Sequence, residues 1–203
     1  MTIKLYHCKR SRSLRPLWTL EEMGLDYELI TMEFPPRQTY QGYLAINNLG
    51  TVPTLVEGDV TLTESTAMAL YLAEKHGPTN LTLGPSDADY GLFLNWLHRS
   101  DATLTFPLTL VLRYTQHEPE ERKNPQVVED YTKWFFSRLR SVETALEDRE
   151  YLCADRFTLA DISIGFSLVF AESLGLADNF KTNTVRYIAM LKKRPAFQRA
   201  YNL

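Results

Sequence analysis

The segment Cys8-Lys9-Arg10-Ser11-Arg12-Ser13-Leu14-Arg15 gathers a thiol, two hydroxyls and four basic side chains. It lies between a short alternating stretch, Ile3-Lys4-Leu5-Tyr6, and a run with helical periodicity. Hydroxyls and cations just ahead of a helix suit an anion, because the free N–H groups of the helix start and the positive charges favour the same ligand. The same residues also fit a plain cap at Ser11 or Ser13 with solvated arginines. Cys8-Lys9-Arg10-Ser11 has the C-x-x-S spacing of a monothiol redox motif, and its basic neighbours would lower the thiol pKa. Cys8 falls at the strand end, however, several residues before the helix, where a half-buried structural cysteine is the other reading.

A second constellation is Gly50-Thr51-Val52-Pro53-Thr54-Leu55 followed by Glu64-Ser65. The first part reads as a loop entering a strand, since proline is tolerated at a strand's first position or edge. Glu64-Ser65 ahead of an apolar helix offers a carboxylate, a hydroxyl and free backbone N–H groups. That is a cradle for an amino-acid-like ligand with both charges, or else an ordinary N-cap. His7, His76, His98 and His117 show no ligand spacing with one another, with cysteine or with carboxylates, so no metal site is expected. Dinucleotide, nucleophile-elbow and phosphate-loop glycine motifs do not occur.

Positioning these groups takes a strand–helix–strand unit and then a hairpin. Strands are expected at Ile3–Tyr6 and Tyr27–Thr31, with a helix from Ser13 to Met23 between them closed by Gly24. The helical crossover implies parallel strands. A short helix about Thr39 to Ile46 precedes a hairpin through Glu57-Gly58-Asp59, and Ser65 caps a helix to His76. Residues 1–77 thus form an α/β domain, 78–86 a linker, and 87–203 an all-helical domain. In the latter, Asp87 to Gln116 reads as one long helix bent or broken at Pro107, and Asn124-Pro125 opens the next. Thr158 and Asp161 form a capping box, with a final helix after Arg194-Pro195.

At 203 residues, 44% hydrophobic and 23% charged, the chain can bury a substantial core. A net charge of −3 gives no basic excess for nucleic acid. Two cysteines, Cys8 and Cys153, exclude a disulfide framework or a four-cysteine metal site and fit a reducing cytoplasm. The most apolar stretch, Leu159 to Leu176, is interrupted by Asp161, Ser163, Ser167, Glu172 and Ser173, so no membrane span is expected.

In order along the chain, Lys4-Leu5-Tyr6 with Ser11 to Arg15, Gly50 to Leu55, Glu64-Ser65-Thr66-Ala67, Phe157 to Asp161 and Arg194 to Phe197 resemble the soluble glutathione S-transferase family, as a serine-type bacterial member. The resemblance implies a thioredoxin-like N-terminal domain (βαβ-α-ββα), a helical C-terminal domain, a homodimer, and glutathione as cosubstrate. It implies that Ser11, with Ser13 as the alternative, activates the thiol. Val52 would pair its backbone with the cysteinyl part beside a cis Pro53, with Thr51 adjacent, while Glu64 and Ser65 hold the γ-glutamyl end. Asp101 would reach the ligand of the partner subunit. Electrophile-pocket walls would include Cys8, Arg10, Phe106, Leu110, Arg113 and Tyr114. Conjugation of glutathione to small hydrophobic electrophiles, a detoxification reaction, is the expected activity. A glutathione-dependent isomerase, dehalogenase or peroxidase, or a non-catalytic binding protein, are the alternatives. Against the family pattern, Arg12 stands where the beta class has its catalytic cysteine, Thr51 where many relatives have lysine, and Ala154 where glycine is common.

Overall fold

The computed structural model describes residues 2–203. Its elements in chain order are β1 (Ile3–His7), α1 (Leu14–Met23), β2 (Tyr27–Thr31), α2 (Pro36–Thr39), α3 (Tyr43–Ile46), β3 (Thr54–Glu57), β4 (Val60–Leu62), α4 (Ser65–Lys75), α5 (Tyr90–Arg99), α6 (Phe106–Leu112), α7 (Pro125–Ala145), α8 (Leu159–Ser173), α9 (Thr182–Lys192) and α10 (Pro195–Asn202). They fall into two compact units. One comprises the described residues up to Thr82 together with Lys192–Leu203; the other is Leu83–Leu191.

The first unit is built on a sheet of order β2-β1-β3-β4. β1 runs parallel to β2, with Leu5 opposite Leu29, and antiparallel to β3, with Leu5 opposite Leu55. The hairpin sets Leu62 of β4 opposite Leu55. The parallel pair and the hairpin are those that the crossover and turn signals imply, and the whole sheet is the thioredoxin-like arrangement that the resemblance implies. α1 forms because Leu14, Leu17, Trp18 and Leu20 bury one stripe, and Gly24, at φ 62°, ends it by donating its N–H to the Leu20 carbonyl. The helix expected about Thr39 to Ile46 is instead two short ones, because Gly42 at φ 80° turns the chain between them.

The last helix departs from the boundary expected at 87–203: α10 belongs with the first unit. Trp18 of α1 meets Phe197 of α10 edge-on, ring centroids 4.9 Å apart. Arg194 grips the Glu22 carboxylate with two N–H donors, at 2.6 and 2.8 Å. The Trp18 indole donates to the same carboxylate at 2.8 Å.

In the second unit, the single helix expected over Asp87 to Gln116 is interrupted rather than broken. Residues Ser100–Thr105 and Arg113–His117 are π-helical, on either side of α6. Pro107 has no N–H to complete a regular turn, and the preceding turn widens so that the Phe106 N–H reaches the Asp101 carbonyl. The Ser100 carbonyl receives hydroxyl donors from Thr105 at 2.7 Å and Ser167 at 3.1 Å. α8 is buried along nearly its whole length and starts from the expected capping box. The Thr158 N–H donates to Asp161 Oδ2 at 2.8 Å, and the Tyr187 hydroxyl donates to Asp161 Oδ1 at 2.7 Å. Burial pushes this carboxyl up to about 6 against the lowering effect of those donors. No helix among the described residues is long and apolar enough to cross a membrane.

Candidate active site

The strand pattern delivers three loops to one end of the sheet. Tyr6, near the end of β1, lies opposite Thr54, the start of β3. β4 returns to that end, because Leu62 lies opposite Leu55, and α4 begins at Ser65 just beyond it. Arg15 of α1, wholly buried, donates from Nη1 to Ser65 Oγ at 3.0 Å. Segments 8–15, 51–54 and 64–65, remote in sequence, therefore share one edge.

In the first loop the two serines have different surroundings. Ser13 is wholly buried, whereas Ser11 is partly exposed. Ser13 occupies the N-cap position of α1, but its side chain caps nothing. It faces His7 Nδ1 at 2.8 Å and Ser11 Oγ at 2.6 Å instead. His7 is buried, and burial, with the positive charge of Lys9, pulls its pKa down to about 4. Arg10 is exposed and takes the left-handed conformation, φ 59°. Cys8 corrects the sequence reading: its side chain packs with Tyr6, Met32 and Tyr43 in the core, so it does not line a surface pocket. Burial, then Glu33, push its thiol up to about 11, the reverse of activation by the basic neighbours.

The second loop is held from behind. The Tyr43 hydroxyl donates to the Thr51 carbonyl at 2.6 Å, and Asn47 Nδ2 donates to the same oxygen at 2.9 Å. Both also contact Thr54 Oγ1, at 2.7 and 3.0 Å. The Val52–Pro53 peptide is cis. Gly50 is required here: its φ is 63°, and a Cβ would come within 2.9 Å of Arg37 Cβ. Thr51 is exposed and Pro53 buried.

At the third loop, the helix starts one residue earlier than the sequence suggests. Glu64, exposed, is the N-cap of α4, and Ser65 is its first helical residue, with no side-chain cap bond. An exposed carboxylate beside unpaired helix N–H groups can receive an ammonium and a carboxylate together.

The remaining predicted residues lie in the second unit. Asp101 is half-buried in the first π-helical stretch. Phe106 is exposed and meets Tyr131 edge-on at 6.4 Å. Leu110 and Tyr114 are half-buried, and Arg113 donates from Nε to Glu118 at 2.6 Å. Among the described residues, no group of three or more His, Cys, Asp or Glu side chains is placed to hold a metal ion.

Sequence reasoning missed what supports the loops: His7 behind the serines, Arg15 behind Ser65, and Tyr43 with Asn47 behind Thr51. The signal available for Arg15 was its place among Leu14, Leu17 and Trp18 on a buried stripe.

The family model for the glutathione S-transferase N-terminal domain matches residues 1–74. Glutathione S-transferase 3 of Zea mays is 32% identical over 168 residues, covering 78% of this chain and 73% of its own length. Glutathione S-transferase 3 of Schizosaccharomyces pombe is 28% identical, covering 96% and 84%. The crystal structure of a glutathione transferase from Methylococcus capsulatus superposes with a TM-score of 0.87 at 26% identity, covering 99% of this chain and 98% of its own. The fold, the loop edge and these matches together place the chain in the glutathione S-transferase family.

Proposed function

We propose that the protein is a glutathione transferase, joining the glutathione thiolate to small hydrophobic electrophiles, with Ser11 as the hydroxyl that holds the thiolate. The observation that carries this is the pairing of the partly exposed Ser11 with the wholly buried Ser13 at the start of α1. Ser11 is the member of the pair with access to a ligand, and this supports a serine-type site. Glutathione fits the same edge by its chemistry. Its backbone amide suits Val52, and its γ-glutamyl ammonium and carboxylate suit Glu64 and the first turn of α4 around Ser65.

The energetics are of the right size. A thiol with pKa about 8.5 is only a few per cent ionised at neutral pH. Lowering it by about two units requires roughly 2.7 kcal/mol of preference for the thiolate. One hydrogen bond to a charged group contributes about 1.5–3 kcal/mol, so one serine hydroxyl, helped by the helix start, is sufficient. The nucleophile comes with the cosubstrate; the chain sets its ionisation and position. The buried, raised thiol of Cys8 argues against a redox route through the chain's own cysteine.

In this reading the enzyme is a cytoplasmic homodimer, Asp101 reaches the glutathione of the partner subunit, and Arg10, Phe106, Leu110, Arg113 and Tyr114 contact the electrophile. The test is Ser11→Ala against a panel of aryl and alkyl halides. Conjugation should drop by about 10²-fold, in line with loss of a charged hydrogen bond, with glutathione still bound. Undiminished conjugation in Ser11→Ala would exclude the assignment.

A further inference from the structure

Ser13 stands at the centre of a hydrogen-bond arrangement whose valences are countable. Its Oγ lies 2.6 Å from Ser11 Oγ, 2.8 Å from His7 Nδ1 and 3.2 Å from the Cys8 carbonyl oxygen, which can only accept. The Ser13 backbone N–H donates to Ser11 Oγ at 3.3 Å. A serine hydroxyl has one proton to give. If Ser13 gives it to the Cys8 carbonyl or to a bare His7 Nδ1, the short contact between the serines must be filled by the Ser11 proton. Ser11 then has nothing to donate to a ligand. Its proton is released only if the chain runs the other way: His7 Nδ1–H to Ser13, Ser13 O–H to Ser11, Ser11 O–H outward.

We propose that His7 and Ser13 are positioning residues that orient and polarise the Ser11 hydroxyl through this directed chain, with His7 in the Nδ1–H tautomer. The proposal rests on Ser11 being the thiolate-holding hydroxyl. In this arrangement Ser11 Oγ accepts from both the amide and the hydroxyl of Ser13, so its own proton is left for the sulfur. A donor that itself accepts a hydrogen bond becomes a stronger donor. Both supporting side chains are out of solvent, with His7 3% and Ser13 0% exposed. The depressed His7 pKa keeps the ring neutral at physiological pH, so it carries a single N–H.

The direct test needs no substitution. Long-range ¹⁵N–¹H correlation on the glutathione-loaded protein should show His7 protonated on Nδ1. Protonation on Nε2 alone overturns the proposal. The second measurement is the pKa of bound glutathione, read from thiolate absorbance against pH. Ser13→Ala and His7→Leu should each raise it by about one unit, about tenfold less thiolate at a given pH, with little change in KM for glutathione. His7→Asn, whose amide nitrogen takes the place of Nδ1, should restore most of the lowering. Folded Ser13→Ala and His7→Leu proteins with the wild-type thiol pKa would also overturn it, and if neither folds the tautomer still decides. Ser11→Ala separates the two levels. No rise in thiol pKa there removes the serine reading itself. A rise there, with His7 protonated on Nε2 alone, removes only the relay.

Discussion

His7 is a residue whose burial has a cost that depends on pH. Its pKa is about 4 in the fold against the ordinary 6.5. Between those values the unfolded chain binds the proton and the folded chain does not, so stability falls as pH drops from 6.5 toward 4 and is complete above 6.5. The cost grows to about 3 kcal/mol at the acid end. We expect the melting temperature of the wild-type protein to fall more between pH 7 and pH 4.5 than that of His7→Asn. Equal falls would show that His7 titrates normally. The serines illustrate the limit of reading residues one at a time. The residues alone do not separate Ser11 from Ser13, each a hydroxyl beside arginine near a helix start, and the preference for Ser11 came from the family resemblance. What separates them is burial, which depends on how α1 sits on the sheet.

At the scale of elements, the departures from expectation follow from backbone chemistry. Ala154 has a φ of 57°, in the left-handed region. A residue with a Cβ pays about 1–2 kcal/mol there, while glycine gives back part of that in unfolded-state entropy. Ala154→Gly should therefore stabilise the protein by about 0.5–1 kcal/mol, read as a rise of a few degrees in melting temperature. An unchanged or lower value would mean that the Ala154 N–H bond to Asp89, 2.8 Å long, holds this turn without strain. The parallel strand pair, the hairpin and the capping box were legible because each rests on local patterns: alternation about a helical crossover, Gly58 in the turn, and Thr158 with Asp161. The π-helical turns about α6 were not legible, since Pro107 announces a disturbance without saying whether the helix breaks or widens. Nor were Tyr43 and Asn47 legible behind Thr51. Their role is set by a fold-back of the chain, and no spacing rule connects them.

At the scale of the molecule, α10 is the piece that the division into an early α/β part and a late helical part placed wrongly. It closes the first unit through Phe197 on Trp18 and the Arg194 fork on Glu22. Truncating a buried aromatic of this kind costs about 3–5 kcal/mol. Phe197→Ala should lower the denaturation midpoint by that measure and weaken glutathione binding with it, since the loop holding the serines leads directly into α1. A midpoint within experimental error of wild type would show that α10 only rests on the surface. The same contact sets an order of events on the ribosome. Domains tend to fold as they emerge, yet here the α/β unit has its strands made before the helical unit and its α10 helix made after it. The Phe197 ring that meets Trp18 edge-on is translated only after the whole of Leu83–Leu191. The later-encoded helical unit has all its residues before the α/β unit that precedes it has its own.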